Sequence, residues 1–171
     1  MNPRSGDKTD SKGAAFAAEM RLGIVTSRYH TEVSSALREG ALESFLLRGG
    51  VEENIVEAEA PGSYELVVIA LALAEREDID AVVALGCVLT GETSHDRYIC
   101  DAVAHGLVRV SIETAKPVTF GVLTCATIEQ ARARAGGRHG NKGSDAMNAA
   151  IDAVQVIRDL DIRSPMLRDD T

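Results

Sequence analysis

Apolar residues recur along this chain in two alternating rhythms. Arg21 to Thr26 is a short β-rich run, and from Thr31 to Arg48 the residues Val33, Leu37, Ala41 and Phe45 fall at helical spacing, which predicts a strand followed by a helix. The unit repeats, with a strand over Asn54 to Ala58, a turn at Pro61-Gly62 and a helix from about Tyr64 to Glu75. Asp80 to Leu85 is a continuous apolar run suited to a strand covered on both faces. Tyr98, Ala102, Val103 and Leu107 mark the helix after it, with Gly86 and Gly91 at the crossover. Pro117 stops that helix, Val118 to Thr124 supplies a fourth strand, and Thr127 and Gln130 have the spacing of a capping box that opens a fourth helix, breaking near Gly136-Gly137. After Gly143-Ser144-Asp145 a final helix carries Met147, Ile151, Val154 and Ile157 to about Leu160.

Strand and helix in alternation, with near-continuous apolar strands, predict an α/β three-layer sandwich: a four-stranded, mainly parallel sheet flanked by helices and joined by right-handed crossovers. The expected boundaries are a flexible, polar N-terminal tail over 1–20, one domain over 21–160 and a polar C-terminal tail over 161–171. The apolar patch Ala14 to Ala18 is too short for a signal-peptide core or a membrane span. A net charge of −8 opposes attraction to nucleic acid or anionic membranes and favours small-molecule substrates. Cys87, Cys100 and Cys125 are odd in number, lie in apolar stretches and form no C-x-x-C pair, so they read as buried thiols of a cytoplasmic protein.

In parallel α/β sheets ligands gather beyond the carboxyl ends of the strands. Four such loops hold unusual residues: Ser27 to His30, Pro61 to Glu65, Gly86 to His95, and the loop that follows Phe120 through Thr124. In the third, Gly91 frees the backbone, and Thr93 with Asp96 has capping-box spacing at a helix start. Exposed amides there would form an anion site next to His95, whose imidazole has an ordinary pKa near ~6.5, suited to proton transfer. Physics alone favours the plainer reading, a capped helix with a solvated histidine. The basic stretch Arg132, Arg134, Arg138, His139 and Lys142 offers a phosphate clamp or, for most of its members, a solvated helix C-terminus. Glu65 could stabilise a helix start or accept hydrogen bonds from a polyol. Tyr29 and Phe120 could stack on a heterocycle, although Phe120 sits in an apolar run that reads as core. No metal-ligand spacing, G-x-G-x-x-G or P-loop is present.

From Gly23 to Leu160 these motifs resemble, in order and spacing, the lumazine synthase family of riboflavin biosynthesis. The residues that carry the resemblance are Pro61-Gly-Ser-Tyr-Glu65, Ala84-Leu-Gly-Cys-Val88, Gly91-Glu-Thr-Ser-His95, Pro117 to Thr124, Glu129 to Arg134 and Gly140-Asn-Lys-Gly143. The resemblance implies a flavodoxin-like fold. It also implies condensation of 5-amino-6-(D-ribitylamino)uracil with 3,4-dihydroxy-2-butanone 4-phosphate to 6,7-dimethyl-8-ribityllumazine, with no metal or organic cofactor. By resemblance His95 is the proton donor and acceptor, and Tyr29 stacks on the pyrimidine. Ser63, Tyr64 and Glu65 with Cys87, Val88 and Leu89 bind the ribityl chain and ring edge, and Phe120 closes the pocket from a neighbouring subunit. Arg134 and the amides around Glu92 and Thr93 hold the phosphate, with Lys142 in the same field.

The family implies a homo-oligomer of pentamers. The short stretch from Arg134 to Lys142 lacks the insertion associated with pentamer-only members, which points to an icosahedral shell; the resemblance separately implies riboflavin synthase as a partner. Tyr29-His30 stands where many members have Phe or Trp followed by Asn, Thr90 replaces a frequent Arg, and Asp96 follows the histidine where an aromatic is usual. A carboxylate beside His95 favours the imidazolium form. These departures keep two alternatives in view, a non-catalytic flavin-binding or shell-forming relative and an archaeal-type riboflavin synthase.

Overall fold

The structure, a computed structural model, describes residues 16–162. Four parallel strands, β1 (Leu22–Ser27), β2 (Ile55–Ala60), β3 (Ala81–Leu89) and β4 (Val118–Cys125), pair in the order β2-β1-β3-β4. The helices between them are α1 (Thr31–Leu47), α2 (Leu66–Ala74) and α3 (His95–Thr114); after β4 come the short α4 (Ile128–Arg132) and, last in the chain, α5 (Lys142–Ile162). This is the expected α/β three-layer, flavodoxin-like arrangement.

The residues of β3 explain how both layers form. Ala81, Val83, Leu85 and Cys87 enter one core with Leu37, Ala41 and Phe45 of α1 and Met147 and Ile151 of α5. Val82 and Ala84 enter the other, with Leu66 and Ala70 of α2 and Val103 and Leu107 of α3. Side chains of a strand alternate between faces, so a strand buried on both must be apolar throughout. The chain steps one way from β1 to β2 through α1 and the opposite way from β2 to β3 through α2. At a constant crossover hand, that reversal sends the two helices to opposite faces. It also opens a crevice between β1 and β3, at their carboxyl ends, where the strand order changes direction.

Several expected elements are displaced. Core packing starts before Arg21: Ala17 and Met20 are fully buried, and the ring of Phe16 lies 4.9 Å under the Arg158 guanidinium. Apolar Phe16, Ala17 and Met20 are the reason, since together they cover the α5 side of the sheet. The rest of the expected N-terminal tail, and the expected C-terminal tail beyond 162, lie outside the described residues. Gly86 lies inside β3 rather than at a crossover.

The helix opened by Thr127 is five residues long and does not reach Gly136. Thr127 Oγ1 accepts from the Gln130 amide at 3.3 Å, as a capping box requires, but Gln130 Oε1 takes the amide of Ala126 (3.0 Å) rather than that of Thr127. Two short antiparallel strands follow, β5 (Ala135–Gly137) and β6 (Gly140–Asn141), with Gly136 and Gly140 at φ 101° and 75°. Glycine adopts such angles at no steric cost, so the glycines that were expected to break a helix instead build a hairpin.

Asn141 then starts α5 earlier than expected. Its Oδ1 accepts the Gly143 amide at 2.8 Å and its Nδ2 donates to the Ala36 carbonyl of α1 at 2.7 Å. A Cβ at Gly143 would stand 1.9 Å from the Leu37 carbonyl oxygen, and one at Gly40 would stand 2.2 Å from the Asn141 amide nitrogen. The Gly140 to Gly143 motif thus clamps the hairpin and α5 onto α1. No helix among the described residues is long and apolar enough to cross a membrane.

Candidate active site

A cleft of about 730 Å³ opens at the carboxyl ends of β2, β1 and β3, at the point where the strand order reverses. The loop after β1 contributes Tyr29, the loop after β2 contributes Ser63, Tyr64 and Glu65, and the end of β3 contributes Cys87, Val88 and Leu89. Thr93 and His95 close it from the start of α3. Nine of the sequence-predicted site residues therefore share one cavity, although their positions in the chain span Tyr29 to His95.

Gly86 makes this convergence possible. A Cβ there would meet Ser63 Oγ at 3.2 Å, Leu66 Cδ1 at 3.3 Å and Ser27 Cβ at 3.3 Å, so the first and second loops close over a bare backbone. Ser63 is 8% exposed, and its hydroxyl is buried with no hydrogen-bond partner among the described residues. A buried unpaired hydroxyl is costly unless a ligand or water satisfies it. The Glu65 carboxylate reaches back over Gly62, where a Cβ would lie 2.9 Å from Glu65 Oε2 and 3.8 Å from the Tyr29 ring, so an acceptor and an aromatic stand side by side. Burial, with proximity to Cys125 as a lesser cause, pushes the Cys87 thiol up to about 11. At neutral pH it is a neutral group in the wall.

The expected Thr93/Asp96 capping box does not form. The N-cap of α3 is Ser94, His95 is the first helical residue, and the cap makes no side-chain hydrogen bond. Ser94 takes the N-cap one residue after Thr93, which puts Asp96 at the second helical position, where its carboxylate cannot complete a box with Thr93. Helix N-termini leave amides that water or an anion can satisfy. Glu92 is exposed beside this turn and does not line the cleft.

Phe120, Arg134 and Lys142 are not in this cavity. They line a second concavity of about 540 Å³ along the free edge of β4. The run from Phe120 through Thr124 lies within β4, as expected of the fourth strand. Phe120 pairs with Ala84 and lies five residues before Cys125, roughly 16 Å back along the strand from the edge where the cleft opens. It is 42% exposed, contrary to an apolar-run reading, because among the described residues β4 has no neighbour on that side.

The nearby cations differ in engagement. Arg132 is held by Glu32 of α1 through two bonds of 3.0 and 2.7 Å, and Lys142 by Asp145 at 2.6 Å. Among the described residues Arg134 donates only to the Gln130 carbonyl, at 3.1 Å, which leaves most of its guanidinium open to the concavity.

Sequence reasoning missed Asp96, Tyr98 and Ile99, and left His30 open; all four line the cleft. Tyr98, one of the residues whose spacing marks α3, is 75% exposed. The signal was its spacing, since positions three and four after His95 share its helix face. Among the described residues no cluster of three or more His, Cys, Asp or Glu side chains is placed to hold a metal ion.

The family profile described as 6,7-dimethyl-8-ribityllumazine synthase matches residues 19–158. A relative of that name from Thermus thermophilus is 45% identical over 141 residues, covering 82% of this chain and 90% of its own. One from Aquifex aeolicus is 44% identical over 149 residues, covering 87% and 97%, and one from Porphyromonas gingivalis is 38% identical over 142 residues, covering 83% and 88%. A match of this breadth, on a chain whose cleft gathers three of the six motifs in one place, makes the protein a member of the 6,7-dimethyl-8-ribityllumazine synthase family.

Proposed function

We propose that the protein condenses 5-amino-6-(D-ribitylamino)uracil with 3,4-dihydroxy-2-butanone 4-phosphate, releasing phosphate and water and forming 6,7-dimethyl-8-ribityllumazine. The observation that carries the reading is the convergence of Tyr29, Glu65, the unpaired Ser63 hydroxyl and His95 on one cleft. Tyr29 takes the face of the pyrimidine. Ser63 and Glu65, with the backbone of Tyr64 and of Cys87 to Leu89, take the hydroxyls of the ribityl chain, the Ser63 hydroxyl gaining the partner it lacks.

In the reaction an amine attacks the ketone carbonyl and loses water to give an imine, phosphate is eliminated to leave an enol that tautomerises to a carbonyl, and the second amine attacks that carbonyl and closes the ring with loss of a second water. Each step moves a proton. His95 at the mouth of the cleft is the group that takes and returns it. The start of α3 at Glu92 and Thr93 receives the phosphate through its amides, and Arg134 adds a two-pronged cationic contact. Lys142 enlarges the same positive field. Holding both substrates in reach of one imidazole supplies the rest of the rate through orientation.

On this reading the cleft of one subunit is completed by Phe120, Arg134 and Lys142 of the next, because on a single chain these residues face a different concavity. The exposed apolar residues Val108 and Ile112, one turn apart on α3, support a further contact between copies. We take the assembly to be a pentamer packed into an icosahedral shell. The enzyme works in the cytoplasm and passes its product to a riboflavin synthase.

The test is to mix protein with both substrates and follow the fluorescent lumazine against a protein-free control, since the two compounds also condense unaided. A rate above the control is expected. A rate equal to the control from a correctly assembled oligomer overturns the proposal, and riboflavin formed from lumazine alone would assign the cleft to the other reaction.

A further inference from the structure

Asp96 stands at the head of the stripe that α3 turns to the sheet. Successive residues of a helix rotate by 100°, so Val103, Leu107 and Val110 point the same way as Asp96. All three are buried, and they hold α3 against β3 and α2 in the second core. Position 96 continues their line to the mouth of the cleft, where the stripe ends on a half-buried carboxylate in the wall. Burial, and then the Asp96 and Asp101 carboxylates, push the Cys100 thiol above its ordinary range, so the Asp96 charge is felt on the inward side of the helix.

Nothing nearby in the chain offsets that charge. Among the described residues no ion pair includes Asp96. From Gly86 to Asp96 there is no Lys or Arg, and the two carboxylates of the segment are Glu92 and Asp96. Thr90 is neutral, with its amide and its hydroxyl both donating to the Cys125 carbonyl, at 2.9 and 3.4 Å. The start of α3 therefore offers an anion its amides and opposes it with two negative charges. Glu92 is exposed and outside the cleft, where water screens it; Asp96 lines the cleft, so its charge acts through less water.

We propose that Asp96 sets the phosphate affinity of the cleft low: its carboxylate repels the phosphate held at the start of α3, so that inorganic phosphate leaves quickly once it has been eliminated. The inference rests on the phosphate binding where the preceding section places it. The repulsion acts unequally along the reaction. Once the imine has formed, the phosphate ester is tied covalently to the pyrimidine and cannot leave. Elimination cuts that tie, and the free dianion then meets the same carboxylate with no carbon chain to hold it. Arg134 and Lys142 attract the phosphate and Asp96 limits that attraction, which keeps the product from occupying the site of the substrate.

The experiment is to compare Asp96→Asn and Asp96→Glu with the unaltered protein in phosphate-free buffer. Inorganic phosphate is titrated by calorimetry and as an inhibitor competing with the keto-phosphate, and KM is measured for each substrate. Asparagine keeps the shape and removes the charge; glutamate keeps the charge. Asp96→Asn is expected to tighten inorganic phosphate roughly 3- to 10-fold, the worth of one charge acting on a dianion across a wet cleft, with the difference shrinking as salt is raised. KM for the keto-phosphate falls as well, KM for the pyrimidine stays within twofold, and Asp96→Glu stays close to the unaltered protein. Phosphate affinity unchanged or weakened in Asp96→Asn overturns the inference, as does equal tightening in Asp96→Glu. A lowered Tm with phosphate binding unmoved would leave Asp96 as a partner of the helix dipole and nothing more. Protein that forms lumazine with phosphate inhibition indifferent to the charge at position 96 retains the synthase reading and loses this one. Protein that forms no lumazine above the control but binds phosphate more tightly as Asp96→Asn does the reverse, and protein that does neither loses both.

Discussion

Arg132, Arg134 and Lys142 belong to one short basic stretch, and the structure separates these three sharply enough to make Arg134 the most exacting test of the site. Arg132 already spends its guanidinium on Glu32, and Lys142 its ammonium on Asp145, whereas Arg134 holds one backbone carbonyl. Replacing Arg134 with Ala removes a charge-assisted contact to phosphate of about 1.5–3 kcal/mol, roughly 10- to 150-fold in kcat/KM for the keto-phosphate. Because Arg134 is only half-buried, the lower part of that range is expected, and the loss should shrink as salt is raised. Most of it should appear in KM for the keto-phosphate, with little in KM for the pyrimidine, because the phosphate is bound in the ground state as well as in the transition state. Lys142→Ala should weaken the same substrate less, its charge being offset by Asp145. Arg132→Ala, which only unties α4 from Glu32, should leave both KM values within twofold. The assay is steady-state lumazine formation with each substrate varied in turn at several ionic strengths. Equal losses from Arg132→Ala and Arg134→Ala, or a loss from Arg134→Ala confined to the pyrimidine, would refute the reasoning.

His95→Ala should lower kcat on the order of 100-fold while pyrimidine titrations still saturate, as expected for loss of a general acid and base; an unchanged kcat would remove His95 from the chemistry. Gly143→Ala places a Cβ 1.9 Å from a backbone oxygen that has no freedom to move away, so it should cost at least ~2 kcal/mol and lower Tm by about 4 °C or more in a domain of this size. A thermal melt matching the unaltered protein would mean that α1 and α5 are less tightly clamped than the contact implies. Cys87, buried and with its pKa raised to about 11, should resist iodoacetamide at pH 7.5 for as long as free glutathione takes to react fully, and its labelling rate should rise about tenfold per pH unit while the fold persists. Mass spectrometry of digests reads this directly, and rapid labelling at pH 7.5 would show that the thiol is neither buried nor suppressed.

Much of the fold was readable because a parallel strand covered on both faces has to be apolar throughout; Ala81 to Leu85 announced itself in this way. Local chemistry misled where it competed with long-range contacts. Gly136 and Gly137 suggest the end of a helix that in fact stops at Arg132, and nothing nearby shows that Asn141 ties the following turn to Ala36, more than one hundred residues away, and so turns the interval into a hairpin. The Thr93/Asp96 spacing matched a capping box, yet the turn begins one residue later, at Ser94.

The candidate site divides along the same line. Residues on loops after strands, such as Tyr29 and Glu65, follow from topology, because every parallel strand ends at the same edge. Phe120 does not, since its exposure comes from β4 being the last strand, a fact of sheet order that alternation of hydrophobic residues does not encode.

The separation of the two concavities on one chain has a consequence for inheritance of damage. If the cleft of each subunit borrows Arg134 from the next, a subunit lacking His95 still carries an intact Arg134, and a subunit lacking Arg134 still carries an intact His95. Two inactive variants assembled together would then regenerate some complete sites at their junctions, and a single damaged copy would poison its neighbour's chemistry as well as, or instead of, its own. Catalytic fitness in such a protein is scored on pairs of chains, so selection acts on the open edge of β4 as strongly as on the cleft it faces.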